Sequence, residues 1–148
     1  MDITVKPFKE LTKEELYELL SVRSKIFVVE QNCPYQDVDF KDQKALHVLG
    51  REEGKLIAYA RIFNAGDYMK EACIGRVLVT KENRKRGLAY TIMKASIDVV
   101  KTSFNTNIMA VSAQQYLENF YNELGFKQIG DLYLEDGIPH IKMLYTES

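Results

Sequence analysis

The sequence predicts an α/β fold with more strands than helices, and three observations support that prediction. Short apolar runs typical of strands recur along the chain, while other segments repeat apolar residues at helical spacing. Two pairs of runs are joined by turn residues, at 52–54 and at Asp136 and Gly137, which indicates two β-hairpins. A run at 73–79 leads through a polar turn into a helix. Together these features predict the order β-α-β-β-β-α-β-α-β-β.

The chain begins with a strand, predicted at 3–8. Thr12 and Glu15 have the spacing of a capping box, in which each side chain accepts a hydrogen bond from the other residue's backbone N–H, so a helix should start here. Helical spacing continues to about Glu30, and a polar, Asp-rich loop should then extend to Lys44.

The remaining elements follow from the same two periodicities. Strands are predicted at 46–51, 56–63, 73–79, 108–112, 129–134 and 138–145. One face of the second helix should lie on the sheet, and it consists of Leu88, Ile92, Ala95 and Val99. The third helix presents an apolar stripe of Leu117, Phe120, Tyr121 and Leu124. Gly125 can adopt the left-handed conformation that ends this helix.

Length and composition are those of one globular domain, predicted to span 1–148. Hydrophobic residues make up 46% and charged residues 28%, which excludes a disordered chain. A net charge of −1 gives no global field for nucleic acid, and no apolar run has membrane length. Two cysteines cannot make a disulfide framework and suggest a reducing compartment, so we expect a cytoplasmic protein. With only two histidines besides, no metal-ligand spacing is apparent. The sequence is compatible with a homodimer but does not require one.

The strongest functional signal is the strand–turn–helix segment at 74–89. A helix that starts at Gly87 presents unpaired backbone N–H groups and the positive end of its dipole. Arg84, Lys85 and Arg86 add three cations at the same place. This arrangement suits a polyanion the size of a pyrophosphate, and a solvated basic helix start is the alternative. The segment lacks both the Walker A and the dinucleotide glycine patterns.

Three motifs resemble those of a known family. The hexamer at 84–89 fits Arg/Gln-x-x-Gly-x-Gly/Ala and resembles the acetyl-CoA pyrophosphate loop of the GNAT (Gcn5-related) N-acetyltransferases. The segment 119–126 is similar to the GNAT segment that carries the tyrosine acid. The stretches 28–39 and 133–140 resemble the ElaA-like branch of this family. The similarity to that branch runs over nearly the whole chain. The resemblance implies a mixed, mostly antiparallel central sheet, splayed at the cofactor strand, with helices on both faces.

The resemblance also implies a set of site residues. Tyr121 would protonate the departing CoA thiolate, and a plain core aromatic is the alternative interpretation. The cofactor-binding residues would be Val77, Leu78, Val79, Arg84, Lys85, Arg86, Gly87, Leu88, Ala89 and Gln114. Gln114 stands where many family members carry an Asn. The acceptor side would include Glu30, Gln31, Tyr35 and His140.

No spacing selects the general base that a primary amine needs in order to lose its proton. Glu30, Asp37, Asp39 and His140 lie in segments that the resemblance places near the acceptor, and His47 has a weaker case. The acidic residues between 30 and 42 suggest a cationic amine, and an ordinary solvated loop is the alternative.

The leading hypothesis is direct transfer of an acetyl group from acetyl-CoA to a primary amine of a small molecule or peptide. The alternative is a non-catalytic acyl-CoA-binding sensor or interaction module. The tyrosine at the leaving-group position favours the enzyme, since a pure binder has no use for an acid there. A nucleic-acid binder that uses the basic patch at 81–86 is a third hypothesis, and the lack of aromatic residues in that patch argues against it.

Overall fold

A seven-stranded mixed sheet forms the centre of the protein, whose computed structural model describes residues 1–146. The strands are β1 (Asp2–Pro7), β2 (Leu46–Glu52), β3 (Lys55–Phe63), β4 (Ala72–Val79), β5 (Met109–Gln114), β6 (Phe126–Glu135) and β7 (Ile138–Tyr145). The helices are α1 (Lys13–Arg23), α2 (Leu88–Ser103) and α3 (Glu118–Glu123). The strand order is β1-β2-β3-β4-β5-β7-β6, and neighbours are antiparallel except β4 and β5. The predicted element order and mostly antiparallel sheet are confirmed.

Helices cover both faces of the sheet, as the alternation along β3 shows. Tyr59 belongs to the hydrophobic cluster that includes Leu19 of α1, whereas its neighbours Ala58 and Ala60 belong to the larger cluster that includes Ile92 of α2. Successive side chains of a strand point to opposite faces. β3 is therefore buried from its second residue to its last, because a helical layer packs against each face.

The first helix begins as predicted and changes geometry before its end. Thr12 Oγ1 accepts a hydrogen bond from the Glu15 N–H at 3.0 Å, and Glu15 Oε1 accepts one from the Thr12 N–H at 2.9 Å, so the capping box is formed. The α-helix ends at Arg23, and the chain continues as a π-helix over Ser24–Glu30. The helical segment thus ends at the predicted residue, but its last seven residues form wider turns.

β4 and β5 separate soon after they meet. They pair at only two positions, Ala72 with Met109 and Cys73 with Ala110. Beyond Cys73, the edge of β4 that faces β5 has no ladder partner, so its backbone N–H and C=O groups are available to a ligand. The splay that the resemblance implied is therefore present.

A bulge in β4 lies at the same level as the splay. Tyr59 pairs with Leu78 but Arg61 pairs with Gly75, so β4 has one residue more than β3 between these two pairs. The extra length falls on Arg76, whose φ of 50° is left-handed. A non-glycine residue in that region stores backbone strain and is concentrated at functional sites.

The C-terminal hairpin joins β6 and β7. Asp136 and Gly137 have φ of 50° and 77°, as the type I′ turn of a two-residue hairpin requires. β6 begins at Phe126, three residues before the predicted start, because Phe126 is fully buried and pairs with Tyr145. The register between the two strands shifts between Ile129 and Tyr133.

Candidate active site

A cleft with a volume of about 480 Å³ opens where β4 and β5 diverge. Gly75, Arg76 and Val77 of β4 line one wall, and Ser112 and Gln114 of β5 line the other. The π-helical segment, the segment around Met69, the start of α3 and the β6–β7 turn also contribute to the lining. Its size and mixed lining are those of a small-molecule site.

The structure brings most of the predicted site residues to this cleft. The lining includes Glu30, Gln31, Tyr35, Val77, Leu78, Arg84, Gln114, Tyr121 and His140. The predicted cofactor residues outside the lining are Val79, Lys85, Arg86, Gly87, Leu88 and Ala89. These lie at the C-terminal end of β4 and along the turn into α2, next to the lining residue Arg84. Gln114 Nε2 donates to Gln31 Oε1 at 3.4 Å, so a predicted cofactor residue contacts a predicted acceptor residue.

The basic turn has the backbone geometry of an anion site. Gly87 is the N-cap of α2 with φ of 75°, and no side chain caps the helix. The first backbone N–H groups of α2 therefore lack a capping acceptor, and the positive end of the helix dipole lies beside them. Lys85 also has positive φ, at 66°.

The two arginine side chains of this turn are held by carboxylates. Arg84 forms an ion pair with Glu30 and donates from Nε to the Val79 carbonyl at 3.1 Å. Arg86 forms a two-pronged ion pair with Glu52, at 3.0 and 2.6 Å. Backbone N–H groups, rather than free guanidinium groups, are thus the donors that this turn offers, and the Arg84–Glu30 pair joins it to the end of the π-helix.

Tyr121 is a buried side chain in α3 that also lines the cleft. Its ring packs edge-on against Phe120 and Phe126, with centroid separations of 5.0 and 5.9 Å. Burial raises the pKa of its hydroxyl to about 12, and nearby Tyr116 acts in the same direction. Within residues 1–146 the hydroxyl makes no hydrogen bond to another side chain or to the backbone, so it stays protonated without a fixed acceptor.

A buried ionic cluster, which sequence reasoning missed, lies behind the acceptor side of the cleft. Arg23 is fully buried and donates from Nε to Asp37 at 3.0 Å and from Nη1 to Asp42 at 2.7 Å. Arg61 is 2% exposed and donates to both oxygens of Asp39 and to Asp42, each at 2.9 Å. We call Arg23, Arg61, Arg76, Asp37, Asp39 and Asp42 the ionic cluster. The sequence contains two signals of this cluster. Arg23 lies on the apolar stripe of α1, and Arg61 lies inside the apolar run of β3.

This cluster overturns two expectations about the acceptor side. Asp37 and Asp39 are bound by arginines, so neither is a free carboxylate that could take a proton from an amine. Burial opposes ionisation of Asp39, but Arg61 outweighs it and holds the pKa of Asp39 below its ordinary value. Glu30 and Asp42 are also paired with arginines. The acidic loop therefore gives no support for a cationic acceptor.

Glu135 and His140 lie side by side at the opposite wall of the cleft. His140 is buried, its Nδ1 lies 2.7 Å from the Ile138 carbonyl, and its Nε2 lies 3.3 Å from Glu135 Oε2. A carbonyl can only accept, so Nδ1 carries a proton. His47, in contrast, is buried outside the cleft lining and bonded to Tyr59 and to the Asp42 carbonyl.

Two further findings concern metals and membranes. Within residues 1–146, no three His, Cys, Asp or Glu side chains are grouped so that they could hold a metal ion. In the same part of the chain, no helix has the length and apolar character needed to cross a membrane.

The splayed β4 edge, the cleft between β4 and β5 and the uncapped start of α2 define an acyl-CoA N-acyltransferase architecture. Residues 9–147 match the family model described as "Acetyltransferase (GNAT) domain", so the chain belongs to the GNAT family.

Its relatives lie in the ElaA-like branch. The chain is 40% identical to the protein ElaA of Escherichia coli over 136 residues, which are 90% of this chain and 89% of that one. The crystal structure of an acyl-CoA N-acyltransferase from Pseudomonas aeruginosa superimposes with a TM-score of 0.93 at 36% identity, over 98% of this chain and 99% of that one. That of E. coli ElaA superimposes with a TM-score of 0.91 at 36% identity, over the same shares.

Proposed function

We propose that residues 1–148 form one domain that transfers an acetyl group from acetyl-CoA directly to a primary amine of a small molecule or peptide. The observation that supports this most is the cleft at the β4–β5 splay. An unpaired β4 edge and a buried tyrosine line this cleft, and Arg84, in the turn that leads to the uncapped start of α2, also lines it. The cytoplasmic location and the homodimer stay predictions from the sequence.

The residues of this chain have separable roles in the proposed transfer. The start of α2 at Gly87 and the turn at 84–86 would bind the pyrophosphate, since backbone N–H groups and a helix dipole suit that anion. The open edge of β4 would bind the pantetheine arm along Val77, Leu78 and Val79. Its backbone N–H groups would also stabilise the charge that develops on the thioester oxygen.

Proton movement completes the scheme. The amine nitrogen forms the new C–N bond, the C–S bond of the thioester breaks, one proton leaves the amine and one reaches the thiolate. Tyr121 would supply the second proton, because its hydroxyl is protonated, unpaired and at the cleft. Glu135 and His140 lie together on the opposite wall of the cleft, where one of them would receive the first proton, directly or through water.

Turnover of the Tyr121→Phe variant tests this proposal. Purified protein is assayed with acetyl-CoA against an amine panel by release of free thiol, and the Kd for CoA and the Tm are measured on the same samples. We expect a fall in kcat of roughly 10²–10⁴-fold, or less if water protonates the thiolate, with the CoA Kd nearly unchanged. Tm should not fall, because the Tyr121 hydroxyl makes no hydrogen bond within the described residues that the substitution would remove.

Tyr17→Phe is the matched control. Tyr17 lies on α1, is 80% exposed and does not line the cleft, so its variant should behave like the parent. A Tyr121→Phe protein that turns over like the parent would show that Tyr121 only packs. Tight CoA binding with no transfer to any amine would instead favour the acyl-CoA-binding module.

A further inference from the structure

Arg76 places a fixed guanidinium group on the wall of the cleft, at the β4 bulge. Its Nε donates to Asp37 Oδ1 at 2.8 Å, and its Nη2 donates to the Asp37 carbonyl at 3.2 Å. The guanidinium also lies over the ring of Tyr35, 5.5 Å from its centroid. Within the described residues Nη1 makes no hydrogen bond, and 18% of the side chain is exposed. Arg76 is therefore held rigidly while one nitrogen with two protons remains available.

Two of the three arginines of the ionic cluster line the cleft, and none of its three carboxylates does. Arg61 and Arg76 line the cleft, whereas Asp37, Asp39 and Asp42 do not. Three carboxylates balance three guanidinium groups, so the cluster as a whole is close to neutral. A ligand on this side nevertheless meets hydrogen-bond donors before it meets acceptors.

Arg61 adds a second donor with no acceptor. Its two Nη atoms bind Asp39 and Asp42, but its Nε is buried and has no hydrogen-bond partner among the described residues. Leaving a charged donor unpaired costs stability. An unpaired donor in a residue that lines a cleft calls for an explanation, and an acceptor brought to this wall by a ligand is one that fits the geometry.

The opposite wall has the reverse polarity. Glu135 lines the cleft from β6, its side chain is 48% exposed, and it lies beside His140. Ser112 of β5 bonds to Tyr133 and lies 3.4 Å from Glu135 Oε1. The cleft thus has an anionic, proton-accepting side on β5–β7 and a cationic, donating side on β3–β4.

We propose that the acceptor is an amino-carboxylate, in which the same small molecule carries the primary amine and a carboxylate. The carboxylate binds Arg76 through the free Nη1, with Arg61 behind it, and the amine lies toward Glu135 and the thioester. This substrate class rests on the proposed acetyl transfer and refines it. It replaces the cationic amine that the acidic loop had suggested.

Matched pairs of acceptors test the proposal on the wild-type protein. Amino acids are compared with their own carboxamides, for example phenylalanine with phenylalaninamide, because each pair keeps the side chain and differs in the carboxylate. The amine of the amide is less basic, so kcat/KM is expressed per free-base amine for both members of the pair. The expected result is a kcat/KM at least about tenfold higher for the acid of a reactive pair, since a charge-assisted hydrogen bond is lost in the amide. Equal or better transfer to amides, or a preference for polyamines, would overturn the proposal.

Variants of Arg76 assign the preference to this residue. Arg76→Gln should lower kcat/KM for the acids roughly ten- to hundredfold and for the amides little, so that the preference disappears. Arg76→Lys keeps the charge and loses the fork, so it should retain part of the preference. Arg51→Gln is the control, because Arg51 is 21% exposed, pairs with Glu18 and lies outside the cleft lining. Equal losses for acids and amides in Arg76→Gln would overturn the proposal and would indicate that Arg76 only positions the bulge.

Two measurements distinguish a wrong substrate class from loss of the fold and from a wrong proposed function. CoA Kd and Tm on each variant identify loss of the fold, and where Arg76→Gln does not fold, Arg76→Lys and the wild-type pairs decide the matter. Transfer to amides alone refutes the amino-carboxylate class and leaves acetyl transfer standing. Absence of transfer to every amine, with CoA still bound, refutes the proposed function.

Discussion

Gly87 offers a sharp test of the proposed pyrophosphate turn. It caps α2 with φ of 75°, and a Cβ built there meets no heavy atom within 4 Å. The first carbon of a side chain at this position would therefore clash with nothing among the described residues. Its cost to the free protein is backbone strain alone, and any further cost must come from a ligand that approaches the backbone closely.

The magnitudes of these two effects can be separated. An L-residue in the left-handed region costs roughly 1–2 kcal/mol, which lowers the Tm of a chain of this size by about 2–4 °C per kcal/mol. If the pyrophosphate approaches the N–H groups at the start of α2, Gly87→Val should also raise the CoA Kd more than about tenfold, or about 1.4 kcal/mol. Lys85→Ala should matter less, because one solvated phosphate contact contributes about 1 kcal/mol or less.

Gly54→Val is the matched control for strain. Gly54 has φ of 77°, also has nothing within 4 Å of a built Cβ, and lies in the β2–β3 turn outside the cleft lining. Both variants should lose similar Tm, and only Gly87→Val should lose CoA affinity by calorimetry. A folded Gly87→Val protein with the parent's CoA Kd would remove this turn from the site.

The remaining predictions concern buried titratable groups. Arg23→Met should lower the free energy of unfolding in urea at pH 7 by roughly 3–5 kcal/mol, because it leaves Asp37 and Asp42 short of a buried cation; Arg51→Met, a more exposed pair, should cost less than about 1 kcal/mol. Burial opposes ionisation of Asp42, but Arg23 and Arg61 hold its pKa below the ordinary value. The stabilisation of the fold by ionised Asp42 is therefore complete above about pH 4 and is lost as pH falls through the lowered pKa. A free energy of unfolding of the parent protein that did not fall in acid would contradict this. Burial raises the pKa of the Cys73 thiol to about 11, so iodoacetamide should label native Cys73 slowly at pH 7.5, and rapid labelling mapped by mass spectrometry would show that the thiol is accessible and ionised.

The element order could be predicted because each element has a local cause. The capping box at Thr12, the turn at Asp136 and Gly137, and the apolar stripe of α3 all act within a few residues. The splay between β4 and β5 is different, since it depends on where two strands far apart in sequence stop pairing. Only the family resemblance anticipated it. The π-helical geometry of Ser24–Glu30 had no signal in the apolar spacing.

The candidate site was predictable where it rests on a motif and not where it rests on tertiary pairing. The turn at 84–89 and Tyr121 carry recognisable patterns, and Arg84 and Tyr121 do line the cleft. The partners of Asp37, Asp39 and Asp42 could not be read from the chain, because their arginines lie up to 39 residues away on other elements. The same composition in the loop at 31–42 would fit a solvated surface or a buried cluster.

The ionic cluster also explains how an irregular loop can form a wall of the cleft. Few backbone hydrogen bonds hold residues 34–41, so the loop depends on its side chains for position. Asp37 binds both Arg23 of α1 and Arg76 of β4, and it thereby ties the loop to both elements. The same contacts hold Arg76 in its left-handed conformation at the bulge. A buried cluster of this kind contributes little net stability compared with apolar packing, and its physical effect here is to fix the loop, the bulge and the guanidinium of Arg76 in one arrangement.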